Sequence, residues 1–151
     1  GGGNGLLASC DMIYCDHETK FAFSEVKLGI APATISPYVI KRIGESGARD
    51  LMITGRRFLG AEAEKYRLVN KSLAAEELDE YLAKIIKQLM TSGPDAMSAC
   101  KRLIYDVANE LTFEDSIDYT AKMIAELRAS DEGQEGMASF LEKRKPNWVK
   151  N

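Results

Sequence analysis

Histidine and tryptophan are nearly absent from the sequence, at one residue each, and cysteine and proline are scarce, at three and four residues in 151. Cys10, Cys15 and Cys100 are an odd number in no metal-ligand spacing, and only His17 is available to complete a set. That pattern excludes a zinc cluster and a disulfide framework, so no metal is expected and the thiols read as those of a reduced, cytoplasmic protein. Positive charge is not in excess: 20 Lys and Arg against 23 Asp and Glu leave a formal net charge of -3. A nucleic-acid partner held mainly through its phosphates is thereby excluded. No apolar run approaches the roughly 20 residues of a bilayer span, and no leader with a basic start is visible, so no membrane partner is expected.

What is present is a hydrophobic content of 45% with 28% charged residues, the composition of a globular domain with a core. After the opening GGGNG, Leu6, Leu7 and Ala8 begin a short helix whose first turn is the glycine segment. Met12–Cys15 and Lys20–Phe23 read as short strands around a polar turn. Pro32 and Pro37 bracket a loop and then open a helix through Val39, Ile40 and Ile43, which Gly44 suits to end. A short helix over Ala48–Thr54 follows, then another after Gly60, and Leu68-Val69-Asn70 reads as a strand. Beyond that the chain is helical. Leu78, Tyr81, Leu82, Ile85, Ile86, Leu89 and Met90 form one apolar stripe. Ser92-Gly93-Pro94 stops that helix, a second runs from Pro94, a third begins near Phe113, and Asp131-Glu132-Gly133 breaks the chain before a last short helix. The pattern is a small α/β front with a helical back.

A helix start exposes backbone N–H groups that lack partners, and its dipole makes that end partly positive. Glycines there let an oxygen approach closely, so Gly1, Gly2 and Gly3 suit a phosphate or a developing oxyanion. Glycine clusters also make plain turns, and these residues alone leave both readings open.

The order of motifs GGGNGLLASCD, FAFSEVKLGIAPA, LMITGRRF and EGMASFLEKRKPNW resembles the crotonase (enoyl-CoA hydratase/isomerase) superfamily over nearly the whole chain. The chain opens inside the first of these motifs rather than at a methionine, so it is expected to be the C-terminal portion of a longer protein. The resemblance implies an α/β, crotonase-like ββα superhelix. Residues 1–72 would form the C-terminal part of its spiral core, and residues 73–151 a helical region for assembly into a homo-oligomer, a trimer or a dimer of trimers. The substrate class implied is an acyl-CoA thioester, with coenzyme A part of the substrate and no separate cofactor. In the family two backbone N–H groups hold the thioester oxygen. One matches Gly2, and the other belongs to an upstream loop outside these 151 residues, so the 151-residue piece alone is expected to be inactive.

The family's usual pair of glutamates is only half present. Glu25 matches the second, whereas Gly5 stands where the first is common, and one carboxyl group must then handle all the proton traffic of an enoyl-CoA hydratase. Phe21, Phe23, Val26 and Ile30 are expected to wall it. On residue spacing alone, Glu25 reads rather as a strand-end surface carboxylate paired with Lys27 or another lysine, and the resemblance reverses that preference. Pro32 and Ala33 match a substrate-binding loop in which Ala33-Thr34-Ile35-Ser36 replaces a glycine-rich run. This variant, with PATISPYV, looks like the methylglutaconyl-CoA hydratase-like branch. Phe140 matches a residue against the adenine of coenzyme A and Lys143 one near its phosphates, with a core contact and a solvated helix end as the alternatives. An enoyl-CoA isomerase and a non-catalytic crotonase-like scaffold are the rival functions.

Overall fold

A computed structural model describes residues 2–150. Two compact units divide the chain, Gly1–Ala83 and Lys84–Asn151. The first begins with helix α1 (Gly2–Ala8), strand β1 (Tyr14–Asp16) and strand β2 (Lys20–Ala22). Two 3₁₀ segments, Ser24–Leu28 and Ala33–Ile35, lead into helix α2 (Ser36–Thr54). Strand β3 (Arg57–Leu59), helix α3 (Gly60–Lys65), strand β4 (Lys71–Leu73) and helix α4 (Ala75–Leu89) follow.

β1 pairs in parallel with β4, Tyr14 opposite Lys71 and Asp16 opposite Leu73. β2 pairs antiparallel with β3, which puts Phe21 directly across from Phe58. Side chains two apart along an extended chain share a face, and Phe21 and Phe23 are both buried. Their rings lie 5.6 and 6.0 Å from Phe58. Val39, Leu51, Ala63, Leu68 and Val69 complete this core.

α2 carries Pro37 in its first turn and buries Val39, Gly47, Ala48 and Leu51. Gly44 interrupts it at φ 73, ψ 168, a backbone region open essentially to glycine alone, so the expected helix end is a kink between two helical stretches. Gly55, at φ 58, closes the element by donating its amide to Leu51 O.

Leu68-Val69-Asn70 is not a strand. Both apolar side chains are buried, and they lie on a bend that follows Arg67 at φ 60. Pairing with β1 starts only at Lys71. Arg42 of α2 fastens this bend. Its guanidinium donates to Leu68 O at 2.9 Å, Cys10 O at 2.9 Å and Asn70 Oδ1 at 2.7 Å, and the same Asn70 oxygen accepts from the Ile13 amide at 2.8 Å.

The second unit holds helices α5 (Pro94–Asn109), α6 (Phe113–Ala129) and α7 (Asp131–Leu141). Thr112 and Ser130 cap α6 and α7 with their hydroxyl oxygens. The chain break is therefore at Ser130, and Asp131-Glu132-Gly133 is the first turn of α7. Glu132 caps a different helix, accepting the amides of Asp95 and Ala96 at 3.0 and 2.8 Å where α5 begins. α4, α5 and α6 have no buried residue, and Ile86, Ile104, Ile117 and Ile124 of their apolar stripes face outward while Leu78, Leu82 and Ile85 of α4 are half-buried.

The tail folds back within this unit. Arg144 grips Glu135 through two bonds of 2.6 and 2.8 Å, the Asn147 amide adds a third at 2.8 Å, and the Trp148 indole donates to Thr91 O at 3.2 Å. The Arg144 bonds, with the Asn147 amide second, hold the Glu135 carboxyl down at about 2. A carboxyl depressed by folding stabilises the native state fully above its unfolded value near about 4.3 and loses that contribution as pH falls through the folded value. Urea unfolding of the wild type and Arg144→Gln is therefore expected to show a stability gap that is constant from pH 7 to 5 and closes between pH 5 and 2. A gap unchanged at pH 2 contradicts this.

Candidate active site

α1 starts at Gly2. Gly2 and Gly3 are exposed, and a Cβ at either would meet no atom within 4 Å, so the start of α1 is uncovered on the side where a side chain would stand. Gly1 lies outside the described residues. Gly5 is the opposite case. It is buried, and a Cβ there would collide with Ile35, whose own Cβ would lie 2.8 Å away and its Cγ2 closer still. The position where a glutamate is common thus has no room for any side chain while Ile35 stays in place. The neighbouring Asn4 donates from Nδ2 to Ala22 O at 2.7 Å, fastening α1 to the end of β2.

Three residues beyond Ala22, Glu25 sits in a 3₁₀ segment rather than at a strand end. The segment is closed by Gly29 at φ 75, whose amide bonds back to Glu25 O and Val26 O. Residues held by such a tight turn have little freedom to swing. The Glu25 side chain is half-buried, and its Oε2 is shielded from solvent. Phe21 and Phe23 are buried in the core beneath this segment, and Val26 packs where Gly55 leaves space for it. Ile30 is 59% exposed, unlike the buried Phe21 and Phe23.

Pro32 is buried and Ala33 exposed. The Ala33 amide donates to Ala31 O at 2.8 Å, so it binds a ligand only by giving up that bond. Ile35, at the end of the same turn, is buried against Gly5. In the second unit Phe140 is 82% exposed, which removes the alternative that it is an ordinary core residue of this chain. Lys143, exposed as well, follows α7 in the left-handed region at φ 54.

Several polar residues hold the frame in ways spacing did not signal. Arg56 joins Asp50 at 2.9 Å and Glu62 at 2.7 Å, and Tyr66 also bonds Asp50. His17 is exposed as expected, yet its Nδ1 lies 2.6 Å from Ser72 Oγ. No helix among the described residues is long and apolar enough to cross a membrane.

An exposed row of helix-start amides favours a developing negative charge on an oxygen. A half-buried carboxyl on a short, fixed turn can move a proton. Both features lie in the first unit, and Asn4–Ala22 and Gly5–Ile35 tie α1 to the segments immediately before and after the one that carries Glu25.

Known proteins show the same arrangement of sequence and fold. Carnitinyl-CoA dehydratase of Proteus mirabilis is 31% identical over 153 residues, covering 98% of this chain and 58% of its own length. Among solved structures, an enoyl-CoA hydratase/isomerase from Marinobacter aquaeolei superposes with a TM-score of 0.94 at 33% identity, over 99% of this chain and 57% of that one. Pseudomonas aeruginosa AtuE gives 0.92 at 36% identity, over 99% and 58%. The chain spans a little over half the length of these relatives, and the α/β, crotonase-like fold expected from the motifs is the fold it shares with them. The family model for enoyl-CoA hydratase/isomerase matches residues 1–151, and the chain belongs to that family.

Proposed function

We propose that the full-length protein is an enoyl-CoA hydratase that works with one carboxyl group. The thioester oxygen of a 2-enoyl-CoA accepts from the Gly2 amide, with Gly1 and Gly3 leaving room for its approach, and a second amide comes from outside these 151 residues. Glu25 takes one proton from a water molecule as its oxygen bonds to the β-carbon. The electron pair of the double bond moves toward the thioester oxygen, and Glu25 then returns the proton to the α-carbon. Water is thus added whole across the double bond, with no net change at the carboxyl. Pro32 and Ala33 border the acyl group, Phe140 stacks on the adenine and Lys143 meets the phosphates of coenzyme A, the substrate's own carrier. A branched, methylglutaconyl-like acyl group suits a pocket in which Ile35 replaces glycine. Assembly as a trimer or dimer of trimers would cover the outward apolar stripes of the second unit, in a cytoplasmic protein.

The observation that carries this reading is the shielded Oε2 of Glu25, three residues after the Ala22 carbonyl that fastens α1, in a family whose members include proteins named enoyl-CoA hydratases. One observation favours a second reading. With Gly5 sealed by Ile35, no carboxyl arises from that position, and a lone carboxyl also suits an isomerase that shuttles a proton between carbons. Full-length protein given 2-enoyl-CoA and 3-enoyl-CoA separately distinguishes the two. Loss of the conjugated-thioester absorbance from the first is the expected result. Its appearance from the second alone assigns the isomerase, and no change with either contradicts both. The 151 residues by themselves are expected to show no turnover, since losing one oxyanion donor costs about 2.7–4 kcal/mol of barrier.

A further inference from the structure

We infer that Asn4 and the interlocked pair Gly5–Ile35 are positioning residues that fix α1 to the two segments flanking the one that bears Glu25, the end of β2 before it and the Ala33–Ile35 turn after it. The inference rests on the reading of α1 and Glu25 above.

α1 has seven residues, too few to hold a direction without tertiary support. Two of its consecutive residues take hold of the chain on either side of Glu25. Asn4 bonds Ala22 O at 2.7 Å, three positions before the carboxyl, and Gly5 seats Ile35, ten positions after it. Successive helical residues are about 100° apart around the axis, so the two grips come from different directions and restrain both translation and roll. Ile35 suits the second grip because a β-branched side chain is stiff at χ1 and it is buried here. Gly2 lies three residues from Gly5, about one turn along the same face, so a shift at Gly5 reaches its amide directly. The same contact sets the turn that presents Pro32 and Ala33. The glycine at position 5 is thus one half of a size-matched pair whose other half stands in the loop that replaces a glycine-rich run.

Displacing a reacting group by about 1 Å can cost on the order of 10²-fold in rate. In the full-length protein, Gly5→Ala is expected to lower kcat for 2-enoyl-CoA hydration by about that factor with KM little changed. The double variant Gly5→Ala/Ile35→Gly is expected to recover most of the loss, because with Cβ and Cγ2 gone at 35 the nearest atom to the new methyl is the Cα of residue 35, 3.6 Å away. Asn4→Ala and the isosteric Asn4→Asp, which has no amide to donate, are expected to lower kcat alike while thermal unfolding stays near that of the wild type. If the double variant is worse than Gly5→Ala, or if KM rises and stability falls together with the loss of kcat, the role is merely structural and the inference is overturned. A wild type without turnover defeats the functional reading instead. The inference is then decided by amide hydrogen exchange across α1, which Asn4→Ala and Gly5→Ala are expected to accelerate and which, unchanged, refutes it.

Discussion

Glu25→Gln in the full-length protein is expected to lower kcat for hydration by about 10²–10⁴-fold, the range general acid–base groups supply. Glutamine keeps the shape of the side chain and its place in the 3₁₀ turn but takes no proton from water. The effect is expected near the upper end of that range because Gly5 supplies no second carboxyl and Ile35 fills the space beside it. KM is expected to change little, since the oxyanion amides and the coenzyme A contacts are untouched, and the variant is expected to assemble like the wild type. Loss of turnover with intact assembly separates an enzyme from a scaffold. A variant as active as the wild type removes Glu25 from the mechanism.

Phe23→Ala is expected to destabilise the first unit by about 3–5 kcal/mol, the usual cost of emptying a buried aromatic site. Phe23 is fully buried, and its ring leans on Phe58, which in turn stacks on Phe21 across the β2–β3 pair. Truncating it opens a hole that two short, three-residue strands have little means to close. It also precedes the turn that carries Glu25, so activity is expected to fall along with stability. Phe23→Leu, which keeps most of the volume, is expected to cost less than half as much. Denaturant unfolding measures both, and a loss under about 1 kcal/mol for Phe23→Ala, no more than an average substitution, contradicts the assigned core.

The helical parts of the fold were legible because their signals are local. Pro37, Gly44, Ser92-Gly93-Pro94 and the three-and-four spacing of α4 mark starts, stops and faces from neighbours in the chain. β3 was not legible. Arg57-Phe58-Leu59 offers one buried side chain between two exposed ones, and it is a strand only because Phe21 lies opposite Phe58, 37 positions away in the sequence. Leu68-Val69 misled for the converse reason, since an apolar β-branched run is also what a buried bend needs when Arg42 supplies hydrogen bonds from a distant helix.

At the site the glycines and Glu25 were legible as a pattern, and the departure at Gly5 was visible as a missing carboxylate. Its physical reason was not, because it depends on which side chain folds over it. Ile35 stands 30 residues on and shows nothing in its own neighbourhood to mark it as Gly5's partner. Asn4 was likewise silent, its acceptor being a backbone oxygen on another element. The apolar stripes of α4–α6 were legible as stripes, but the exposure of Ile86, Ile104, Ile117 and Ile124 on them was not: sequence periodicity says which residues share a side and not what covers it.

The most direct test of the account is a crystal structure of the full-length protein with a saturated, unreactive acyl-CoA bound. The thioester oxygen is expected about 2.7–3.1 Å from the Gly2 amide nitrogen, with the Glu25 carboxyl facing the α- and β-carbons of the acyl chain. A thioester bound away from α1, or a Glu25 side chain directed into bulk water while the ligand is seated, contradicts it.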